Sequence, residues 1–253
     1  MLVDAHIHVD AYTDNQLLKV INQCEKLNIK LFAVSMDIQS YLRNVKLESL
    51  NPNIIKSSFG VHPWMASKYS KNIEVINEYL DKSTMVGEIG LDKRFLDYAA
   101  PYNDQLDVFE YILSSSLVKG KLLNLHTSGA EEDVLSYLQK YRHKKFIIHW
   151  YNGSLELLDS YLALGGYFTI GLEVLFSEKI QKILELLPID RVLLETDNPS
   201  AWPWLNKQPE NEVGMPNLLL EVLEKIAKQK KIDIEECRAQ IRSNQKQSMP
   251  LFY

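Results

Sequence analysis

Short apolar runs alternate with longer segments of helical period from one end of the 253-residue chain to the other, and this alternation most constrains the fold. Eight runs read as strands: Leu2–Val9, Lys30–Ser35, Ile54–Val61, Met85–Leu91, Leu122–His126, Phe146–Trp150, Tyr167–Leu172 and Val192–Asp197. Between them, segments such as Asn15–Leu27, Ile73–Leu80, Gln105–Val118, Glu131–Tyr141, Leu155–Leu164 and Lys179–Leu187 repeat apolar residues three and four apart, as amphipathic helices do. Strands that alternate with helices in this way build a parallel sheet with helical crossovers. Eight such units favour closure into a single TIM-type (β/α)8 barrel, α/β in class, with an extra C-terminal helix, and about 250 residues suffice for one. An open doubly wound sheet stays as the alternative, because periodicity does not show whether the two edges meet.

No low-complexity tract or Gly/Ser linker offers a place to cut the chain, so residues 1–253 are expected to form one domain. The stretch expected to be irregular is Asn198–Pro216, which holds Pro199, Pro203, Pro209, Gly214 and Pro216. Its Trp202 and Trp204 either pack on the rim or offer a stacking surface for a base, Trp202 being the candidate substrate contact.

Five of the six histidines fall at or next to the C-terminal ends of expected strands: His6, His8, His62, His126 and His149. In a parallel barrel those ends share one face, which carries the active site. His6 and His8 stand two residues apart on a strand, so both can point the same way. Buried imidazoles gathered at one such face are most simply satisfied by a metal ion. A lone histidine would read instead as a hydrogen-bonded core residue. His143, in Tyr141-Arg-His-Lys-Lys145, reads as a surface residue.

Two carboxylates end strongly apolar segments, Glu88 in Val86-Gly-Glu-Ile-Gly-Leu-Asp92 and Asp197 in Leu194-Glu-Thr-Asp-Asn-Pro199. Burying a carboxylate there is costly unless it is paired or binds a cation. Asp92 and Glu195 are expected to orient ligands from behind or to close salt bridges. The donors exceed what one ion uses and suit two divalent ions, which can activate a water while clamping a phosphoryl oxygen. Mixed nitrogen and oxygen donors favour zinc or manganese over magnesium.

The formal charge of −5 excludes the broad basic field of a protein that coats duplex nucleic acid, so any such contact must be local. Two bound ions would supply that local positive charge. The two cysteines, Cys24 and Cys237, read as reduced structural thiols rather than a disulfide framework. With no leader-like N-terminus and no apolar run of about 18 residues, the expectation is a cytoplasmic protein without membrane spans.

The ordered motifs Asp4-Ala-His-Ile-His8, Gly60-Val-His-Pro63, Gly87-Glu-Ile-Gly-Leu-Asp92, Leu125-His126, Ile148-His149 and Glu195-Thr-Asp-Asn-Pro199 resemble the TatD family of metal-dependent deoxyribonucleases. The likeness continues through Gly214-Met-Pro216, Ile226-Ala227 and Asn244, and so covers nearly the whole chain. It implies His6, His8 and Asp197 on one ion, His126 and His149 on a second, and Glu88 bridging them. It further implies that Asp197 takes a proton from the attacking water and that His62 lines the substrate side. The implied activity is hydrolysis of DNA phosphodiesters, trimming single strands from the 3′ end.

The chain departs from the family pattern after the fifth strand, where His126-Thr-Ser128 lacks an Arg two residues past the histidine. Lys93 and Arg94 either replace that phosphate contact or are solvated charges. His149-Trp-Tyr-Asn-Gly153 and the Trp202/Trp204 segment are similar to TatD-like nucleases of Qat-type anti-phage cassettes, which would imply protein partners. Two other functions fit the same site: hydrolysis of an amide, lactone or small phosphoester, or a metal-containing recognition subunit with little turnover.

Overall fold

The computed structural model describes residues 1–207 and 214–253, so Pro209 of the expected irregular stretch lies outside the described residues. The chain forms two compact units, one made of Met1–Ala33, Asn44–Lys56 and Phe168–Tyr253, the other of Val34–Arg43 and Ser57–Tyr167.

In the first unit, β1 (Leu2–Ile7) pairs in parallel with β2 (Ile29–Ala33), and β7 (Tyr167–Ile170) with β8 (Val192–Leu194). Beyond the end of β8, Asp197 N–H donates to His6 O (3.0 Å) and Asn198 O accepts from His8 N–H (2.9 Å), so the two segments that carry the motif residues run together. Helix α1 (Asp14–Leu27) starts at a capping box in which Thr13 and Gln16 satisfy each other's backbone N–H. It buries Leu17, Val20, Ile21 and Cys24, at the spacing of one helical face. It ends at Asn28, whose left-handed backbone (φ 53°) is one that asparagine tolerates.

Helices α7 (Glu178–Leu186), α9 (Leu218–Lys230) and α10 (Ile234–Ser248) close this unit. Two amides on α10 do what a neighbouring strand would do. Gln245 accepts from Val3 N (3.0 Å) and donates to Val3 O (2.7 Å), while Asn244 donates to Ile189 O (2.7 Å) and Val192 O (2.8 Å). Both amides are buried, so each bond spares a desolvated polar group and pins β1 or β8.

In the second unit, β4 (Met85–Gly90), β5 (Leu122–His126) and β6 (Phe146–Ile148) form a parallel ladder, and Phe59 bridges to Val86. Buried Val86, Ile89, Leu123, Leu125, Ile147 and Ile148 form its core, covered by α4 (Tyr102–Ser114), α5 (Glu131–Tyr141) and α6 (Leu155–Ala163). Gly60 is required by close approach: a Cβ there would stand 2.2 Å from Glu88 O. Gly90, at φ 150°, would put a Cβ 1.9 Å from His126 O.

Several strands stop short of their expected ends. The strand over Phe146–Trp150 ends at Ile148 and the one over Val192–Asp197 ends at Leu194. Trp150 (φ 41°) and Asp197 (φ 52°) adopt left-handed backbone that a ladder cannot hold. The third expected strand, Ile54–Val61, shortens to β3 (Ile55–Ser57).

The Asn198–Pro216 stretch is not wholly irregular, since Ala201–Asn206 is a short helix, α8, with Pro203 inside its first turn, where a missing N–H costs little. A helix over Ile38–Leu50, α2, was not among the expected segments, and Ile73–Leu80 divides into a 3-10 turn followed by α3 (Asn77–Lys82). His143 is half-buried rather than on the surface, with Nε2 2.8 Å from Leu113 O. Among the described residues no helix is long and apolar enough to cross a membrane.

Candidate metal centre

In the first unit β1 carries His6 into the core, and the turn after β8 carries Asp197 beside it. Nε2 of His6 (3.6 Å) and Nε2 of His8 (3.4 Å) both face Asp197 Oδ1. Ligands about 2.1 Å from a tetrahedral ion stand about 3.4 Å apart, so this donor set fits one cation. His6 is fully buried, while His8 and Asp197 keep a minor exposure.

Asp4 is buried and ties β1 to the segment after β8: its Oδ1 accepts from Thr196 N (3.0 Å) and its Oδ2 from the Thr196 hydroxyl (2.6 Å). Burial pushes the Asp4 carboxyl up to about 8, and the hydrogen bonds from Thr196 only partly oppose this.

In the second unit the donors form a tight triangle. Glu88 Oε1 lies 3.0 Å from His126 Nδ1 and 2.9 Å from His149 Nε2, and the two ring nitrogens are 3.2 Å apart. All three side chains are buried. Oxygen and nitrogen atoms at such separations in a desolvated site need a proton or a cation among them.

The opposite edge of His126 decides which nitrogen is available. Its Nε2 is 2.9 Å from Asp92 Oδ2, an acceptor, so the ring proton sits on Nε2 and the Nδ1 lone pair points into the triangle. Asp92 is itself held by four donors: His126, the Trp64 indole N–H (2.9 Å to Oδ2), and the backbone N–H of Arg94 (2.7 Å) and Phe95 (2.9 Å) to Oδ1. Burial raises the Asp92 carboxyl, but the hydrogen bonds from His126, the Phe95 N–H and the Trp64 indole together outweigh it and hold it well below the usual carboxylate range. Burial also works against protonation of His126, and its bonds to Asp92 and Glu88 reverse that, leaving its pKa above the ordinary imidazole value.

His62 joins this group by distance, with Nε2 3.4 Å from Glu88 Oε1, and could be counted as a third donor with Glu88 and His126. Its other nitrogen argues otherwise. Nδ1 accepts from Trp64 N (3.2 Å), which places the proton on Nε2 and makes that atom a hydrogen-bond donor rather than a ligand.

Lys93 Nζ lies 2.6 Å from Asp133 Oδ2 and 4.6 Å from the centre of the Tyr102 ring, so its charge already has local partners. Arg94 is exposed, and among the described residues its side chain has no ion pair. Trp202 is half-buried on α8 and Trp204 is exposed. Glu195 is buried, and a Cβ on Gly171 would approach its side chain to 3.0 Å. The sequence reading missed Trp64, which contacts Asp92 through its indole and His62 through its backbone; its place directly after His62-Pro63 was the available signal.

Buried histidines and carboxylates at metal-ligand separations, on strand ends of an α/β protein, define the class of metal-dependent hydrolase. Residues 3–249 match the model of TatD related DNases, and the chain belongs to that family. The human deoxyribonuclease TATDN3 is 28% identical over 252 residues, with 93% of this chain and 89% of that protein covered. An uncharacterised metal-dependent hydrolase of Haemophilus influenzae is 25% identical over 258 residues, with 98% of each chain covered. Among solved structures, a TatD homologue from Escherichia coli superposes with a TM-score of 0.84 at 20% identity, over 98% of this chain and 97% of that one. A TatD family hydrolase from Entamoeba histolytica gives 0.83 at 16% identity, over 98% and 97%. The fold is therefore the TIM-type (β/α)8 class that the strand and helix alternation implied.

Proposed function

We propose that this protein is a metal-dependent exodeoxyribonuclease that removes nucleotides from the 3′ end of single-stranded DNA with two divalent ions, zinc or manganese. The observation that carries the reading is the triangle of Glu88 Oε1, His126 Nδ1 and His149 Nε2, whose sides of 2.9 to 3.2 Å bring three buried donors close enough to share one ion. His6, His8 and Asp197 would hold the second ion. Bound there, divalent ions supply an activated water and neutralise charge on a phosphoryl oxygen.

The protein's own groups do the rest. Asp197 would take the proton of the attacking water as its oxygen bonds to phosphorus and the P–O3′ bond breaks, and O3′ would take a proton from solvent, leaving a 5′-mononucleotide and a shortened strand with a 3′-hydroxyl. His62, with its proton on Nε2, donates to a phosphate oxygen. Asp92 keeps the His126 proton away from the ligand edge. Residues 1–253 act as one hydrolase domain, and the free, buried Cys24 and Cys237 agree with the reducing cytoplasm as its place of action.

The test is degradation of 3′- and 5′-labelled single strands by metal-loaded protein, with duplex DNA and small phosphoesters alongside. Stepwise shortening from the 3′ end that His126→Ala abolishes is the expected result. Intact single strands together with turnover of another ester would refute it.

A further inference from the structure

The loop between β4 and α4 carries an aromatic shelf that no part of the hydrolytic chemistry uses. Tyr98 is 68% exposed, yet one face of its ring is backed by Trp64, with centroids 5.2 Å apart and planes at 27°. Phe95 meets the edge of Trp64 at 6.0 Å. Trp64 is fixed by its indole bond to Asp92, and the same carboxylate accepts from the backbone of Arg94 and Phe95 at the start of the loop. Tyr98 N and Ala99 N then both donate to Phe95 O (3.0 and 2.9 Å), which turns the chain so that Tyr98 returns over Trp64.

One carboxylate thus joins a ligand imidazole, the indole that backs Tyr98 and the loop backbone. An exposed tyrosine is common. Here the exposed tyrosine is backed by an indole whose part-buried hydrogen bond leads through Asp92 to His126, which sets a flat surface near the triangle of Glu88, His126 and His149. Trp64 also stands edge-on to His62, 4.9 Å between centroids, so the shelf continues directly from the phosphate-facing donor. Arg94 adds an exposed cation on the same turn.

We infer that Tyr98, braced by Trp64, stacks on the base next to the scissile phosphate, with Arg94 contacting the strand's backbone, so that this loop rather than α8 supplies the base platform. The chemistry fits single-stranded nucleic acid, whose unpaired bases stack on aromatics and whose phosphates attract a local cation in an acidic protein. The inference rests on the deoxyribonuclease reading above.

The experiment is binding of fluorescent single strands carrying hydrolysis-resistant phosphorothioate linkages at the 3′ end. One strand has normal terminal nucleotides and the other abasic ones, and wild type, Tyr98→Phe and Tyr98→Leu are compared in metal-loaded form. Wild type and Tyr98→Phe are expected to prefer the normal strand about 10-fold, and Tyr98→Leu to lose that preference. Arg94→Gln is expected to weaken both strands alike and to flatten the dependence of log affinity on log salt by about 0.7. A wild-type preference near one, or one that survives in Tyr98→Leu, overturns the inference while leaving the nuclease reading intact if unmodified strands are still degraded. Failure of wild type to bind or degrade any strand overturns both.

Discussion

Replacing Asp92 with asparagine changes one oxygen to an amide and tests how the centre is held. The carboxylate serves four donors, two at each oxygen. An asparagine has one acceptor oxygen, so two of the four lose their partner whichever way the amide turns. If its NH2 faces His126, the imidazole must accept at Nε2 and carry its proton on Nδ1, the nitrogen 3.0 Å from Glu88 Oε1. A protonated Nδ1 cannot ligate. If its oxygen faces His126, the bond keeps its geometry but loses its charge, and the Arg94 and Phe95 amides are stranded instead.

Losing an outer partner of a metal-ligating histidine typically weakens metal affinity 10- to 100-fold, about 1.4–2.7 kcal/mol. Competitive titration of Mn²⁺ or Zn²⁺ against a chelating dye reads this directly, with urea unfolding to confirm that the variant is folded. Asp133→Asn, which alters a carboxylate of the same unit paired to Lys93, should bind as wild type. A folded Asp92→Asn that binds metal within twofold of wild type would refute the orienting role.

Other expectations follow from the same geometry. Gly60→Ala forces a methyl to within 2.2 Å of Glu88 O and should cost about 3 kcal/mol in denaturant unfolding, with wild-type stability contradicting the close approach. Asp37 caps α2 at Ser40 N (3.0 Å) and pairs with Lys68 (2.9 Å); burial raises its carboxyl, and these bonds outweigh that and lower it. Its unfolded form binds protons more readily, so its contribution is complete above the ordinary carboxylate pKa of 3.8 and is lost as pH falls through the lower folded value. Asp37→Asn should cost about 1 kcal/mol at pH 7 and shrink the wild-type loss of stability below pH 3.8, which pH-resolved unfolding would show. Chelation should lower the melting temperature and Mn²⁺ or Zn²⁺ restore it, whereas His149→Ala should show a smaller shift; equal shifts would argue against His149 as a ligand.

The candidate donors could be picked out because each stands beside apolar residues: His6 between Ala5 and Ile7, Glu88 between Gly87 and Ile89, and His149 after Ile147-Ile148. Period-two spacing alone put His6 and His8 on one side of the expected first strand, and both ring Nε2 atoms face Asp197. What escaped the sequence depends on distant partners. Trp64 acquires its role through Asp92, 28 residues on, and Asp4 through Thr196, 192 residues on. Gln245 looks like an ordinary helix residue until it bonds to both polar groups of Val3. Strand ends were overrun for a related reason: the left-handed turns at Trp150 and Asp197 are imposed by tertiary contacts and leave no local propensity signal.

Whether Glu88 anchors a metal centre that hydrolyses DNA is read from the fate of end-labelled single-stranded DNA with wild type and Glu88→Gln, chelated and then supplied with Mn²⁺, Zn²⁺ or Mg²⁺. Metal-dependent shortening by wild type and none by a folded Glu88→Gln is the predicted result. Equal shortening by both, or intact DNA with wild type under every metal, would contradict it.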